Sequence, residues 1–233
     1  MSIFSQLFLP QSCCICGEIL ENDIFFKYKE NKIKSPFCAS CTVRLEKSFR
    51  CCTRKISGIN AHAVYLFSYN YETVEKAIFH IKSSDCYAST NFFAQLSAAV
   101  LNDIKGNKKA CLTHIPRSRL LFGKYGFDQS ENVCRTLVRY CNNIDYQKIF
   151  ERDSRFQTPQ RNLNRQERLI NARNSLKLFN REVPDEVFVL DDMITTGATA
   201  IASYELLARQ GCGKISFLFL AGKEKITERR KEK

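Results

Sequence analysis

Long apolar runs are absent from this chain of 233 residues. The longest, at about residues 215–221, is too short to cross a bilayer, so we expect no membrane insertion. The first residues, MSIFSQLFLPQSCC, lack the basic start and the long apolar stretch of a signal peptide. Internal repeats and low-complexity tracts are also missing, and a composition of 44% hydrophobic and 26% charged residues argues against disorder. These absences predict a globular cytoplasmic protein.

Charge is unevenly balanced, with a formal net charge of +12. Such a surplus attracts phosphate groups, either on a small substrate or along a nucleic-acid backbone. A solvated basic surface without a phosphate partner explains it equally well. The last residues, 223–233 (KEKITERRKEK), mix both signs and are typical of a solvated tail.

Cysteine is abundant, and seven of the twelve cysteines lie within the first 52 residues. Disulfides are rare in cytoplasmic proteins, so this clustering favours a metal site over oxidation. Cys13 and Cys16 form one C-x-x-C pair, and Cys38 and Cys41 form another, 21 residues further along. Two such pairs supply the four thiolates of a closed tetrahedral Zn²⁺ site, which is structural because it leaves no open position. Gly17 suits the tight turn after the first pair.

Three further cysteines of this segment, Cys14, Cys51 and Cys52, have no assigned partner. Cys51 or Cys52 can still replace one of the four zinc ligands, and the sequence leaves that alternative open. The later cysteines stand singly at apolar or strand positions, where they are expected to be small buried hydrophobes (Cys86, Cys111, Cys134, Cys141 and Cys212). The three histidines lack ligand spacing to one another.

Beyond residue 60 the hydrophobic pattern alternates between strands and helices. We predict strands at residues 61–70, 110–115, 187–190 and 214–220. We predict helices at residues 71–82, 90–102, 128–140 and 198–210, with a weakly amphipathic one at 164–174. Residues 187–190 are apolar without alternation, as in a central parallel strand that is covered on both faces. The order indicates an α/β fold with a doubly wound parallel sheet.

Residues 189–200 read VLDDMITTGATA and place two carboxylates after a buried strand, followed by a threonine-rich loop and a helix. Ligands of open α/β sheets bind at this edge. Asp191 and Asp192 suit the two hydroxyls of a ribose, and one of them can also orient a Mg²⁺ ion bound to pyrophosphate. The loop has the hydroxyls, the close-approaching backbone and the helix N-terminus that hold a phosphate (Thr195, Thr196, Gly197, Ala198 and Thr199).

This segment resembles the signature of type I phosphoribosyltransferases, and the order of the other motifs resembles the ComF family of competence-associated proteins. Three blocks carry the wider resemblance: residues 79–82 (FHIK), residues 114–129 (HIPRSR followed by GFDQ), and residues 158–171, which include TPQ. The resemblance implies a cysteine zinc module at residues 1–57, a phosphoribosyltransferase-like domain at 58–223 and a charged tail at 224–233.

Site residues follow from the resemblance by position. The loop at 116–129 would hold pyrophosphate, and residues 152–173 would form a mobile flap over the site. The candidate substrate-binding residues from these blocks are Lys82, Arg117, Arg119, Lys124, Gln160 and Arg168. For most of these basic residues a solvated surface role is an equal alternative. Tyr125 stands where the family has arginine and Asp128 where it has asparagine, which puts efficient transfer in doubt.

The resemblance therefore implies a protein that binds phosphoribosyl diphosphate with Mg²⁺ and supports natural transformation, with single-stranded DNA and the DNA-uptake machinery as its further expected partners. Two alternatives stay open. One is an active phosphoribosyltransferase with Asp191 and Asp192 as catalytic residues and an unidentified nucleobase-like acceptor. The other is a regulator that senses a ribose phosphate without catalysis.

Overall fold

The computed structural model describes residues 11–20, 22–106, 108–153, 164–179 and 182–223. The N-terminal part forms a β-hairpin of β1 (Ile24–Tyr28) and β2 (Asn31–Ser35), then helix α1 (Ala39–Ser48) and strand β3 (Phe49–Lys55). Cys38 is the residue before α1, so one C-x-x-C pair spans the start of that helix.

The rest of the described chain is a mixture of strands and helices that includes the ones predicted from the hydrophobic pattern. In order these are β4 (His62–Ser68), α2 (Glu72–Ser83), α3 (Tyr87–Lys105), β5 (Ala110–His114), α4 (Arg119–Tyr125), α5 (Gln129–Leu137), β6 (Ile144–Tyr146), β7 (Phe150–Arg152), α6 (Arg165–Ser175), β8 (Leu176–Leu178), β9 (Glu186–Ile194), α7 (Ala198–Arg209) and β10 (Lys214–Gly222).

Six of these strands form a central sheet in the order β3-β4-β10-β9-β5-β6. Every neighbouring pair is parallel except β3 and β4, which are antiparallel. The predicted α/β fold with a mostly parallel sheet is thereby confirmed. A short antiparallel ribbon of β7 and β8 lies outside this sheet.

Alternate side chains of the central strands pack into two separate hydrophobic cores, one on each face of the sheet. Residues 187–190 are therefore apolar without alternation. On β9, Phe188 and Leu190 face the core that α2, α3 and α5 cover. Val187 and Val189 face the opposite core, which α7 covers. The sheet is therefore sandwiched between two helical layers, and its strand ends are free to carry a site.

The N-terminal part shares the first of these cores. Phe26 of β1 packs edge to face against Phe49, Phe67 and Phe92, with ring centroids 5.5, 5.9 and 5.5 Å away. Burying a phenylalanine contributes about 1.5–3 kcal/mol, so this contact is a substantial share of the packing. The boundary at residue 57 stays a prediction, while β3, which precedes it, is an edge strand of the central sheet.

Two differences from the sequence-based expectation lie near the ends of the central strands. Strand β9 runs from Glu186 to Ile194 rather than ending at residue 190, because it continues to pair with β10 up to Gly222. The predicted loop at 116–129 contains helix α4, which Ser118 caps at its start and Gly126, with φ of 80°, ends in the left-handed region. All seven residues of α4 lack buried side chains, so no hydrophobic face predicted a helix here.

Candidate functional site

Asp191 and Asp192 lie near the carboxyl end of β9, in the middle of the sheet. In β10 the neighbour of Asp191 is Phe219, and the pairing continues beyond it to Gly222. The aspartates thus stand inside the strand rather than just after it, and the backbone of both is fixed by the sheet. The Asp192 N–H also donates a hydrogen bond of 2.8 Å to Oδ1 of Asp191.

Two side chains from distant parts of the sequence hold the Asp192 carboxylate. Its Oδ2 lies 3.0 Å from Nζ of Lys82 and accepts a hydrogen bond of 2.8 Å from Nε2 of Gln129. Burial opposes the charge on Lys82, but attraction to Asp192 and Asp191 outweighs it and raises the pKa of Lys82. The resemblance suggested Lys82 as a binding residue, and the structure brings its amine to the acidic pair.

Gln129 is nearly inaccessible and was not among the predicted site residues. Among the described residues, its Oε1 is buried without a hydrogen-bond partner, so one acceptor remains for a hydroxyl or a water at this site. The signal was present in the sequence, since Gln129 ends the Gly126-Phe-Asp-Gln block that carried part of the resemblance.

Arg152 brings a buried cation to the other side of the pair. Its guanidinium donates to the carbonyl of Pro116 at 3.0 Å and to Oγ of Ser175 at 2.8 Å, which fixes it in place. Burial lowers its pKa, while attraction to Asp191, then Asp128 and Asp192, opposes the shift. Sequence reasoning counted Arg152 only as one of several arginines of the flap.

Asp191 holds its proton more tightly than an ordinary aspartate. Burial, followed by repulsion from the Asp192 carboxylate, raises its pKa to about 8, although Lys82 and Arg152 act in the opposite direction. Two neighbouring carboxylates that compete for charge create a strong demand for a cation or for hydrogen-bond donors.

The threonine-rich loop follows the aspartates and opens onto a cavity of about 160 Å³. Gly197 precedes α7 with φ of 77°, a conformation that glycine adopts without strain. The first N–H groups of a helix have no partner within that helix, and here the N–H of Ala198 donates to Oγ1 of Thr196 in the loop at 3.4 Å. The cavity is lined by the loop together with two arginines (Arg152, Arg168, Asp191, Met193, Ile194, Thr195, Thr196, Gly197, Ala198, Thr199, Ala200 and Phe219).

Arg168 is the predicted flap residue that the structure places at this cavity. It lies on α6, whose start is fixed by a capping box between Asn164 and Glu167. The guanidinium of Arg173, on the same helix, pairs with both carboxylate oxygens of Glu205 on α7. Gln160, the other predicted flap residue, lies outside the described residues, as do residues 224–233 of the predicted tail.

In the loop before α5, Arg117 makes several contacts within the protein. Arg117 donates to the carbonyls of Lys82 and Phe127 at 2.6 and 3.2 Å, and its guanidinium stacks over the ring of Tyr125 at 4.5 Å. Its positive charge thus braces the loop beside Lys82. Tyr125, which departs from the family pattern, supplies the surface on which Arg117 rests.

Asp128 is also used internally. Its Oδ2 accepts a hydrogen bond of 2.6 Å from the backbone N–H of Arg117. Its Oδ1 accepts from the backbone N–H groups of Ser130 and Glu131 at the start of α5. The carboxylate is buried as a helix cap, so it does not present a free negative charge to a phosphate. Arg119 and Lys124 lie on the exposed surface of α4 and are not among the residues lining the cavity.

The four predicted zinc ligands come together at the start of the described chain. The sulfur atoms of Cys13, Cys16, Cys38 and Cys41 lie within 4.8 Å of one another. The Sγ atoms of Cys16 and Cys38 are 3.7 Å apart, close to the edge of about 3.8 Å expected for a tetrahedron with metal–sulfur bonds of about 2.3 Å. This cluster can hold a metal ion, and it does not include Cys51 or Cys52.

No protein-family model matches this chain, and no curated protein sequence matches it. Solved structures of phosphoribosyltransferases are similar to it. One is a hypoxanthine-guanine phosphoribosyltransferase from Bacillus anthracis, with 16% identity, a TM-score of 0.32, and coverage of 62% of this chain and 71% of that one. Another is a hypoxanthine phosphoribosyl transferase of Trypanosoma cruzi, with 13% identity, a TM-score of 0.36, and coverage of 58% and 65%. Values this low carry no information about the site.

Proposed function

We propose that this protein binds phosphoribosyl diphosphate, or a related ribose phosphate, at the carboxyl edge of its central sheet. The observation that carries the proposal is the placement of Asp192 between Lys82 and Gln129, directly beside the threonine-rich loop. The cations, the carboxylates and the threonine-rich loop match the three parts of this ligand, which are a diphosphate, two ribose hydroxyls and a phosphate.

Each group has a task that its chemistry supports. The hydroxyls of Thr195, Thr196 and Thr199 and the first N–H groups of α7 bind the terminal phosphate. Asp191 and Asp192 accept hydrogen bonds from the ribose hydroxyls. When a hydroxyl takes the place of Lys82 at Asp192, the freed amine can pair with the diphosphate. A Mg²⁺ ion fits this arrangement because it prefers carboxylate and phosphate oxygens.

The loop before α5 favours a protein that binds this ligand without rapidly transferring its phosphoribosyl group. The guanidinium of Arg117 donates to the carbonyls of Lys82 and Phe127, so its positive charge already stabilises that loop when pyrophosphate would have to leave. A transferase with an unidentified acceptor is the alternative, and Asp191 and Asp192 would then stabilise the positive charge that develops on the ribose. A sensor without catalysis needs the same binding residues.

A role in handling single-stranded DNA during natural transformation extends the proposal. It is supported by the net charge of +12 and by α4, which exposes apolar and basic side chains together (Arg119, Leu120, Leu121, Phe122 and Lys124). Bases stack on exposed aromatic rings while nearby cations pair with the strand backbone. We expect the double variant Phe122→Ala with Lys124→Ala to weaken oligonucleotide binding while leaving phosphoribosyl diphosphate binding unchanged.

Zinc is the proposed occupant of the four-cysteine cluster, and the cytoplasm is the proposed location, since free thiols persist in a reducing compartment. Of the residues described, no helix is both long enough and apolar enough to span a membrane.

A thermal-unfolding titration tests the binding proposal. Phosphoribosyl diphosphate with Mg²⁺ should raise the Tm, and at a concentration of 100 times the Kd the stabilisation is about 2.7 kcal/mol. Asp192→Asn should remove most of the shift, whereas Asp145→Asn, an exposed aspartate on β6, should retain it. An unchanged Tm in the wild type would overturn the proposal. Continuous pyrophosphate release with any nucleobase would favour the transferase.

A further inference from the structure

A second set of metal-ligating side chains lies apart from the four-cysteine cluster. Ligand atoms of Cys14, His80 and Cys86 lie within 4.8 Å of one another. No local spacing pointed to this cluster, because Cys86 was expected to be a small buried hydrophobe and His80 lacks ligand spacing to another histidine. The three residues come from three segments: the N-terminal turn, the last turn of α2, and the residue before α3.

The spacing of the sulfur atoms suits a metal ion. Sγ of Cys14 and Sγ of Cys86 are 3.8 Å apart. Two sulfurs bound to one Zn²⁺ at about 2.3 Å with a tetrahedral angle would be separated by about 3.8 Å. This separation is nearly the same as the 3.7 Å between Cys16 and Cys38 in the first cluster.

The surroundings support coordination rather than chance proximity. Nδ1 of His80 lies 3.3 Å from Oγ of Ser89, whose side chain is almost fully buried. Histidine ligands of metals are commonly oriented by such a hydrogen bond on the ring. Cys13 and Cys14 are neighbours in the chain, so the turn that places one in the first cluster places the other in the second.

A cavity lies beside two of the three residues. Cys14 and His80 both line a cavity of about 460 Å³, together with Tyr69, Phe79 and Ser83. Sites with three protein ligands and a free fourth position hold a water molecule or a small ligand there, whereas closed four-cysteine sites do not. Thiolate and imidazole ligands both suit Zn²⁺, so this set of two cysteines and one histidine favours zinc.

We propose that Cys14, His80 and Cys86 form a second Zn²⁺ site, with three protein ligands and an exchangeable fourth position that faces this cavity. The site joins the N-terminal cysteine segment to α2, the helix that also carries Lys82. It is independent of the ribose-phosphate proposal, since it needs neither the aspartates nor the threonine-rich loop.

Metal analysis of the full-length protein, purified with a reductant and without chelator, tests the proposal. The wild type should contain two equivalents of zinc, and Cys86→Ser and His80→Ala should each contain one. Cys52→Ser is the matched control, because Cys52 is exposed and lies outside both clusters, and it should retain two. Equal zinc contents in the wild type and Cys86→Ser would overturn the proposal, whatever the occupancy of the first cluster.

Cobalt substitution supplies a second readout that does not depend on zinc retention. The difference spectrum between Co²⁺-loaded wild type and Co²⁺-loaded Cys86→Ser should show visible bands of a tetrahedral ion and a sulfur-to-cobalt charge-transfer band. A flat difference spectrum would contradict the site. So would a Cys14–Cys86 disulfide in protein kept under reductant and supplied with zinc, measured by alkylation of free thiols and peptide mass analysis.

Discussion

The four-cysteine cluster and the edge of the central sheet around Asp191 and Asp192 are assembled from the sequence in opposite ways. The cluster uses two short C-x-x-C pairs, so each half of it is local. The edge instead collects Lys82, Gln129, Arg152 and the two aspartates from four stretches of chain that only the sheet brings together. The spacing of the cysteines reveals the cluster in the sequence. The edge of the sheet can be predicted only from the one stretch with a recognisable pattern, which contains the two aspartates.

The two regions also differ in what stabilises them. We expect the cluster to depend on a bound metal ion, whereas the edge rests on the packed strands beneath it and contains two carboxylates that repel each other. We therefore expect perturbations of the first region to reduce stability, and some perturbations of the second to increase it.

Metal removal should produce the largest effect. Cys41 is buried within the cluster, and we expect Cys41→Ser or chelation to lower the free energy of unfolding by on the order of 5 kcal/mol, because structural zinc in small modules binds with about 10–16 kcal/mol. Thermal unfolding followed by circular dichroism measures this. An unchanged Tm after verified zinc loss would show that packing alone holds this region.

Phe26→Ala tests whether the N-terminal part, which contains the cysteine cluster, shares one core with the central sheet. Its ring contacts Phe49, Phe67 and Phe92, so the truncation should cost about 3–5 kcal/mol. Denaturant unfolding should remain a single transition in both proteins. Two transitions, with only the first shifted by Phe26→Ala, would mean that the N-terminal part unfolds independently. Phe179→Ala, at an exposed position, is the control.

Asp191→Asn should stabilise the protein, with a distinct pH dependence. The pKa of Asp191 is raised in the folded state to about 8, so the unfolded state loses this proton first and stability falls as pH rises from about 4 to 8. Replacement by a neutral amide should raise the stability at pH 8, where the charged carboxylate is disfavoured in the folded state, and have little effect near pH 4. A gain of equal size at both pH values would contradict the assignment of that pKa. The same variant should lose ribose-phosphate affinity.

The smallest effect is expected at the pair between Arg173 and Glu205, which joins α6 to α7. Both side chains are accessible to solvent, which screens the pair, so a double-mutant cycle should give only a small coupling energy. Chemical denaturation of the four proteins measures it. A coupling of several kcal/mol would mean that this pair controls how α6 sits against the site.

The central part of the fold was predictable because buried parallel strands and amphipathic helices leave clear patterns. Strands β5, β9 and β10 and helices α2, α3 and α7 all follow from apolar periodicity. Helix α4 was missed because it has no buried face, and β6, β7 and β8 were missed because three-residue strands have no periodicity to detect.

The candidate site was predictable where its residues adjoin in sequence. Asp191, Asp192 and the threonine-rich loop form one segment, and Lys82 came from the family resemblance. The buried roles of Gln129, Arg152 and Asp128 depend on which groups they meet across the fold, and that is a property of the packed sheet rather than of any short motif.

Calorimetry with phosphoribosyl diphosphate and Mg²⁺ tests the central claim most directly. The wild type and Asp145→Asn should bind one equivalent, whereas Asp192→Asn should bind at least about tenfold more weakly, because a hydrogen bond to a charged group contributes about 1.5–3 kcal/mol. Equal affinities in all three proteins, or no binding by the wild type, would contradict the account.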